Sequence, residues 1–142
     1  MCWTVRYEET EGIIHLAIRG DVTIDLLRRI LPEFMALSRR HDCLRTLVDY
    51  TQAVSKITLV DIFEVPGLLR RSGYDTRMRA AVVYGPASFP PANLPFWQTV
   101  SHNKGIFGVN FFTERQEARQ WLSGPAGGHG LGRRRPDGGE LP

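Results

Sequence analysis

Strand and helix patterns alternate along most of this chain, and this alternation limits the folds that it can adopt. Apolar and polar side chains alternate over residues 3–7 and 14–18, and the Glu11-Gly12 turn between them predicts an antiparallel hairpin. Three helix-and-strand units and a last helix follow. The order β-β-α-β-α-β-α-β-α favours parallel strands joined by right-handed crossovers. We therefore predict a single α/β domain with a five-stranded mixed sheet whose first strand is antiparallel.

The later elements are predicted from helix caps and apolar runs. Thr23 is the expected N-cap of the first helix, in which Pro32 should produce a kink, and Thr58 with Asp61 fits a capping box. Pro66-Gly67 should break or bend the second helix. The remaining predictions are strands over 44–50, 79–85 and 106–112, a helix marked by Phe96, Trp97 and Val100, and a last helix capped by Thr113.

The end of the chain has a different composition. The segment 124–142 contains seven of the 14 glycines and three of the nine prolines, and its large apolar residues are Leu131 and Leu141. Such a segment buries too little apolar surface to offset the entropy of ordering. We expect a folded domain over 1–123 and a disordered tail rich in Gly, Pro and Arg over 124–142.

Charge and composition exclude several partner classes. The net charge is +3, and the segment 1–123 carries 15 basic and 13 acidic residues, so we expect no nucleic-acid partner. Apolar runs are short, which predicts no membrane insertion, and the first residues show no leader pattern. Cys2 and Cys43 lack a CxxC partner, which favours reduced thiols and no zinc. The expected location is cytoplasmic.

No set of residues in the sequence supports catalysis. His41 and Cys43 lie close in sequence but lack an orienting third group, and no serine has a GxSxG context. Neither GxGxxG nor GxxxxGK[ST] is present, so no phosphate cradle is predicted. We expect a protein that is not an enzyme and that uses no cofactor or metal.

Polar and aromatic residues follow the third and fourth predicted strands. Asp49 is expected at the end of the third strand, and the carboxyl ends of parallel strands meet at one edge of the sheet. Each of these residues could instead have an ordinary structural role. Asp49 could cap the following loop, Thr58 could be only a helix N-cap, and the aromatic residues could belong to the core. The predicted ligand- or partner-binding residues are Asp49, Tyr50, Thr51, Ser55, Ser88, Phe89 and Trp97, with Thr58 as a phosphoacceptor.

Several segments together resemble the SpoIIAA-like, or STAS-like, domain family of bacteria. The segments are a strand that ends near Asp49, the buried strand AVVYG over 81–85, and NFFTERQEARQWL over 110–122. The resemblance implies a βα superhelix with all helices on one face of the sheet. It also implies a non-enzymatic regulatory module similar to anti-sigma-factor antagonists, which bind a partner kinase and are phosphorylated where Thr58 stands. The related lipid-carrier domains imply an alternative, the binding of a small apolar ligand.

The predicted sheet also suggests self-association. If all helices cover one face, the other face is partly bare, and Phe107, Phe111 or their neighbours could lie there. An exposed apolar patch of this kind usually marks an interface. The sequence therefore predicts a homodimer.

Overall fold

Nine elements form one sheet with helices against it. The computed structural model describes residues 2–90, 93–103 and 108–124. The elements are β1 (Cys2–Glu8), β2 (Ile13–Val22), α1 (Ile24–His41), β3 (Arg45–Ser55), α2 (Leu59–Arg71), β4 (Arg79–Tyr84), α3 (Asn93–Asn103), β5 (Val109–Phe112) and α4 (Arg115–Ser123).

The strands lie in the order β1-β2-β3-β4-β5, so each strand pairs with the next one in the chain. β1 and β2 are antiparallel, and Gly12 between them has a φ of 67°, a conformation that glycine adopts without strain. The three other pairs are parallel. The predicted α/β class and the five-stranded mixed sheet are confirmed.

Helices cover the two faces of the sheet unequally. α1, α2 and α3 pack on one face, where the buried residues include Leu16, Ile30 and Ile62. α4 packs on the other face, and its Ala118 and Leu122 contact the odd-numbered side of β3 and β4. This differs from the expected arrangement with every helix on one face. The reason is that β3 and β4 present apolar side chains on both faces, as central parallel strands do, so both faces need cover.

β3 is longer than predicted, and Asp49 lies inside it rather than at its end. The strand continues because β2 also continues, and the two pair as far as Val22 and Ser55. A β-bulge interrupts this pairing, since Ala17 pairs with Asp49 and Arg19 pairs with Gln52. β3 therefore contains one extra residue at this point. The residues 50–55, expected at the edge of the sheet, are therefore strand residues.

The helix caps confirm two predictions and correct a third. Thr23 caps α1, and the capping box of Thr58 and Asp61 begins α2. α4 follows Glu114, which makes no side-chain cap, so the N-cap prediction at Thr113 is wrong. α1 is continuous through Pro32. α2 is also continuous through Pro66-Gly67, so the predicted break or bend does not end this helix, whose residues Ile62, Val65 and Pro66 are buried against the rest of the fold.

Of the aromatic residues expected on a bare sheet face, Phe111 lies on the covered face, and its neighbour Phe112 lies on the opposite face, where it packs against Trp121 of α4. Phe111 packs among the side chains under α1–α3, where its ring contacts Phe89. Phe107 and residues 125–142, which include nearly all of the predicted tail, lie outside the described residues. The part of the opposite face beside α4 carries Arg6, His15 and Asp49, so it offers no support for a dimer through Phe111. Among the described residues, no helix combines the length and hydropathy needed to cross a membrane.

Candidate functional site

β3 separates the predicted site residues into two groups. Tyr50 belongs to the core under α1–α3, whereas Asp49 contacts Arg115 of α4, as alternation along a strand requires. The β-bulge then returns Ala53 to the face of Tyr50, and Ser55 contacts Tyr50 there. The structure therefore brings Tyr50, Ser55, Ser88, Phe89 and Trp97 to one side, while Asp49 belongs to the other.

Ser88 connects the loop after β4 to β3. Its side chain is 1% exposed, and its hydroxyl donates to the Tyr50 carbonyl oxygen at 2.8 Å. The same hydroxyl accepts from the Gly85 backbone N–H at 2.9 Å. The Ser88 carbonyl oxygen accepts from the Ser55 N–H at 2.8 Å. These bonds hold the loop against the strand, so Ser88 has a structural role in shaping the site.

Phe89 and Tyr50 form a stacked aromatic pair beside this loop. Their ring centroids are 4.9 Å apart, and Phe89 also makes edge contacts with Tyr84 and Phe111. Burial raises the pKa of Tyr50 to about 12, and a side-chain hydrogen bond with Ser55 opposes this rise. Tyr50 is therefore a neutral phenol at physiological pH, suited to apolar contact and unsuited to acid–base chemistry.

Asp49 and Thr51 form a separate polar group on the side of α4. The Thr51 N–H and hydroxyl donate to Asp49 Oδ1 at 3.0 and 2.6 Å, and Arg115 donates to Oδ2 at 2.9 Å. Burial acts to raise the pKa of Asp49, but the bonds from Thr51 and Arg115 outweigh it and lower the pKa. The carboxylate is ionised and fully engaged, which supports a structural role for it.

Thr58 stands away from both groups, at the N-terminus of α2. Its hydroxyl accepts from the Asp61 N–H at 3.1 Å, and the Asp61 carboxylate accepts from the Thr58 N–H at 3.2 Å. Thr58 is exposed and is followed by two exposed apolar residues, Leu59 and Val60. Its capping role is established by these bonds, and its hydroxyl is reachable from solvent.

An apolar cavity of about 190 Å³ lies between the sheet and the helices α1–α3. We call it the sheet-helix cavity. Of the predicted site residues, Tyr50, Phe89 and Trp97 line it, whereas Asp49, Thr51, Ser55, Thr58 and Ser88 do not. The other lining residues are Leu16, Ile18, Leu27, Ile30, Leu31, Phe34, Met35, Thr46, Val48, Ile57, Val65, Pro66, Leu69, Tyr74, Met78, Arg79, Ala80, Val82, Val109 and Phe111.

Sequence reasoning missed most of this lining. The periodic apolar side chains of β2–β5 and of α1 predict core residues, and they do belong to the core. A periodic pattern cannot distinguish a filled core from a core that contains a cavity. Thr46 in the third strand gave the one available signal. A hydroxyl in an apolar strand marks either a hydrogen bond or a polar feature of a cavity wall.

Trp97 of α3 adds a polar atom to this region. Its indole Nε1 is buried and has no hydrogen-bond partner among the described residues. A buried N–H without a partner is costly, and such groups in native proteins call for an explanation such as water or ligand. Trp97 therefore lines the sheet-helix cavity and has a buried indole N–H without a partner among the described residues.

Comparisons with known proteins support the fold. No protein-family model matches the chain, and no curated protein matches its sequence. One similar solved structure is an uncharacterized protein of the DUF3478 family from Shewanella loihica, described as having a SpoIIAA-like fold. It shares 19% identity at a TM-score of 0.51, over 85% of this chain and 92% of that chain. The chain has a SpoIIAA-like fold.

A second solved structure with this SpoIIAA-like fold is the anti-sigma factor antagonist SpoIIAA in its unphosphorylated form. It shares 11% identity at a TM-score of 0.51, over 82% of this chain and 92% of that chain. The resemblance stated from the sequence is thus confirmed at the level of fold. Identities this low establish architecture alone, so the roles of individual residues must be argued from the site itself.

Proposed function

We propose that the protein is a non-enzymatic STAS-like module that binds a small apolar molecule in the sheet-helix cavity. The observation that carries the proposal is the cavity itself, which has about 190 Å³ of space and an almost wholly apolar wall. An engineered apolar cavity of about 150 Å³ stays dry and binds benzene. The space therefore suits a molecule with one ring or a short hydrocarbon chain.

The energetic cost of an empty cavity supports the same proposal. Native interiors contain few voids larger than a water molecule. Apolar side chains that face unfilled space have no partner atoms on that side and lose dispersion contacts there. A bound apolar molecule would restore the lost contacts and offset this cost.

A substitution that fills the cavity tests the proposal. Ala80 of β4 lines the sheet-helix cavity between Thr46 and Val109, so Ala80→Leu adds hydrocarbon to the space. We expect native mass spectrometry of the freshly purified wild type to show a co-purified apolar molecule, and we expect Ala80→Leu to lack it. Ala17→Leu is the matched control, since Ala17 is a half-buried strand alanine that does not line the cavity.

Two outcomes would contradict ligand binding. One is a wild type that is empty as purified and whose melting temperature is unchanged by neutral aromatic compounds. The other is a molecule that is retained equally by Ala80→Leu and by Ala17→Leu.

A second candidate function is regulated binding of a protein partner, such as a kinase similar to those that anti-sigma-factor antagonists bind. The observation that favours it lies at the start of α2, where Thr58 is exposed beside the exposed apolar side chains of Leu59, Val60 and Phe63. Phosphate at a helix N-terminus meets free N–H groups. The Asp61 carboxylate beside Thr58 opposes it, so this candidate ranks second.

A further inference from the structure

Trp97 carries a buried hydrogen-bond donor at the wall of the sheet-helix cavity. Its side chain lines the cavity and packs against the core under α1–α3. Its indole Nε1 is buried, and no residue in the described part of the chain accepts a hydrogen bond from it. Leaving such a donor unpaired destabilises a fold, because the N–H has lost its water and gained no other acceptor. A bound molecule that supplies an acceptor would remove this penalty.

The position of Trp97 on α3 turns this donor toward the interior. Trp97 and Val100 are three residues apart in the helix, so they lie on the same helix face, and Val100 belongs to the buried core. Trp97 as a whole is half-buried, although its Nε1 is buried. The part of the residue that solvent reaches is therefore not the ring edge with the N–H. The donor lies on the inner side of α3, which is the side of the cavity.

The other tryptophans lack this combination of an unpaired donor and adjacent space. Trp121 Nε1 is also buried without a partner among the described residues, but Trp121 packs against Phe112 on the opposite face of the sheet and does not line the cavity. The indole N–H of Trp3 donates to Glu33 at 3.2 Å. Trp121 is therefore a matched control for Trp97.

The charges around the cavity favour a neutral ligand. Arg79 is the one charged residue among the described residues of the lining. Its guanidinium donates to the carbonyl oxygens of Trp121 and Gly124 and lies over the Trp121 ring, on the other side of the sheet. A buried carboxylate would lose its hydration without gaining a counter-charge. An ammonium group offers only donors, and the indole N–H is itself a donor, so the two cannot pair.

We propose that the sheet-helix cavity takes an uncharged, mainly hydrocarbon molecule whose hydrogen-bond acceptor binds the Trp97 N–H. This inference rests on the proposed function and names the chemical class of its ligand. Ketones, esters and ethers with a single ring or a short chain belong to this class. Pure hydrocarbons lack the acceptor, and fatty acids and amines carry a charge.

Two probes of the same shape test the role of the indole N–H. Acetophenone and α-methylstyrene differ in a carbonyl oxygen against a methylene group, so only the ketone accepts a hydrogen bond. Titration calorimetry of wild type, Trp97→Phe and Trp121→Phe gives the ratio of the two affinities, in which any loss of apolar contact common to both probes cancels. We expect the ratio to fall about fivefold in Trp97→Phe, because a phenyl ring has no N–H. In Trp121→Phe it should stay within about twofold of the wild type.

The indole N–H signal of the wild type gives a second readout. The chain contains three tryptophans, so Trp3→Phe and Trp121→Phe assign two of the signals in a nitrogen–proton NMR spectrum, and the third belongs to Trp97. This assignment holds even if Trp97→Phe does not fold. Acetophenone should move the Trp97 proton signal downfield, as a new hydrogen bond does. α-Methylstyrene carries the same ring and should move it less.

The outcomes separate this inference from the proposed function. If both probes bind, and if Trp97→Phe weakens them by the same factor or both move the indole signal equally, the role of the Trp97 N–H is refuted while ligand binding stands. A wild type that is empty as purified and binds neither probe would overturn both proposals. Benzoate that binds as tightly as acetophenone would refute the uncharged class.

Discussion

The Ser88 hydroxyl donates to the Tyr50 carbonyl oxygen at 2.8 Å, so the loop after β4 is bonded to the middle of β3. This bond and the one from the Gly85 N–H set the position of Phe89, whose ring stacks on Tyr50 at the sheet-helix cavity. A buried serine in a loop thus shapes an apolar wall that it does not itself line.

Ser88→Ala should lower the free energy of unfolding by about 1–3 kcal/mol, because it leaves the half-buried Gly85 N–H and one acceptor position of the buried Tyr50 carbonyl without a partner. Chemical denaturation measures the change. Ser123→Ala is the control, since the Ser123 hydroxyl bonds to the Gln120 carbonyl at an exposed site and its loss should change stability little. Equal effects of the two substitutions would show that the Ser88 bonds are unimportant.

Trp97→Ala should reduce retention of an apolar ligand at least about tenfold, because the indole forms part of the cavity wall. The measurement is the affinity for α-methylstyrene or for any co-purified molecule. Trp3→Ala offers a matched control: Trp3 packs against α1 and its indole N–H donates to Glu33, but it does not line the cavity. Ligand affinity that survives Trp97→Ala and falls with Trp3→Ala would place the ligand elsewhere.

Substitutions at Thr58 separate capping from regulation. Thr58→Ala removes the side-chain cap of α2 and should lower the free energy of unfolding by about 1 kcal/mol, whereas Thr58→Asp should keep the cap. If Thr58 is only a cap, Thr58→Asp leaves the binding of every ligand and partner unchanged. A partner protein that binds wild type but not Thr58→Asp would instead support the phosphoswitch.

His15 should give the folded protein a measurable pH dependence. Burial lowers its pKa below 6.5, and the positive charges of Arg6, Arg115 and Arg119 lower it further, while Asp49 opposes them. As pH falls through 6.5, the unfolded chain therefore binds a proton before the folded protein does, and stability decreases. Between about pH 7.5 and 5.5, the wild type should lose more stability than His15→Gln.

A second variant checks the cause of this shift. Arg6 lies opposite His15 across the β1–β2 pair, and Arg6→Gln removes one of the positive charges. The pH-dependent loss of stability should then be smaller than in the wild type. A loss that is the same in wild type, His15→Gln and Arg6→Gln would assign the pH dependence to other groups.

Local patterns in the sequence predicted the order of elements, the hairpin and the caps at Thr23 and Thr58, because each depends on residues near one another in the chain. The length of β3 was missed because pairing with β2 extends it, and the bulge that returns Ser55 to the face of Tyr50 depends on that pairing. The position of α4 was missed for a similar reason, since both faces of β3 are apolar. The cavity depends on how three helices pack on the sheet, which no local pattern encodes.

The strand order also has a consequence for folding. Because each strand pairs with its successor, the contacts that build the sheet join segments close in sequence, and contact order is low for a parallel sheet. The pairs of the hairpin all lie within residues 2–22, and the hairpin presents β2 as an edge on which β3 can pair. The sheet can therefore grow in the direction of synthesis, with each strand that leaves the ribosome meeting a template already in place.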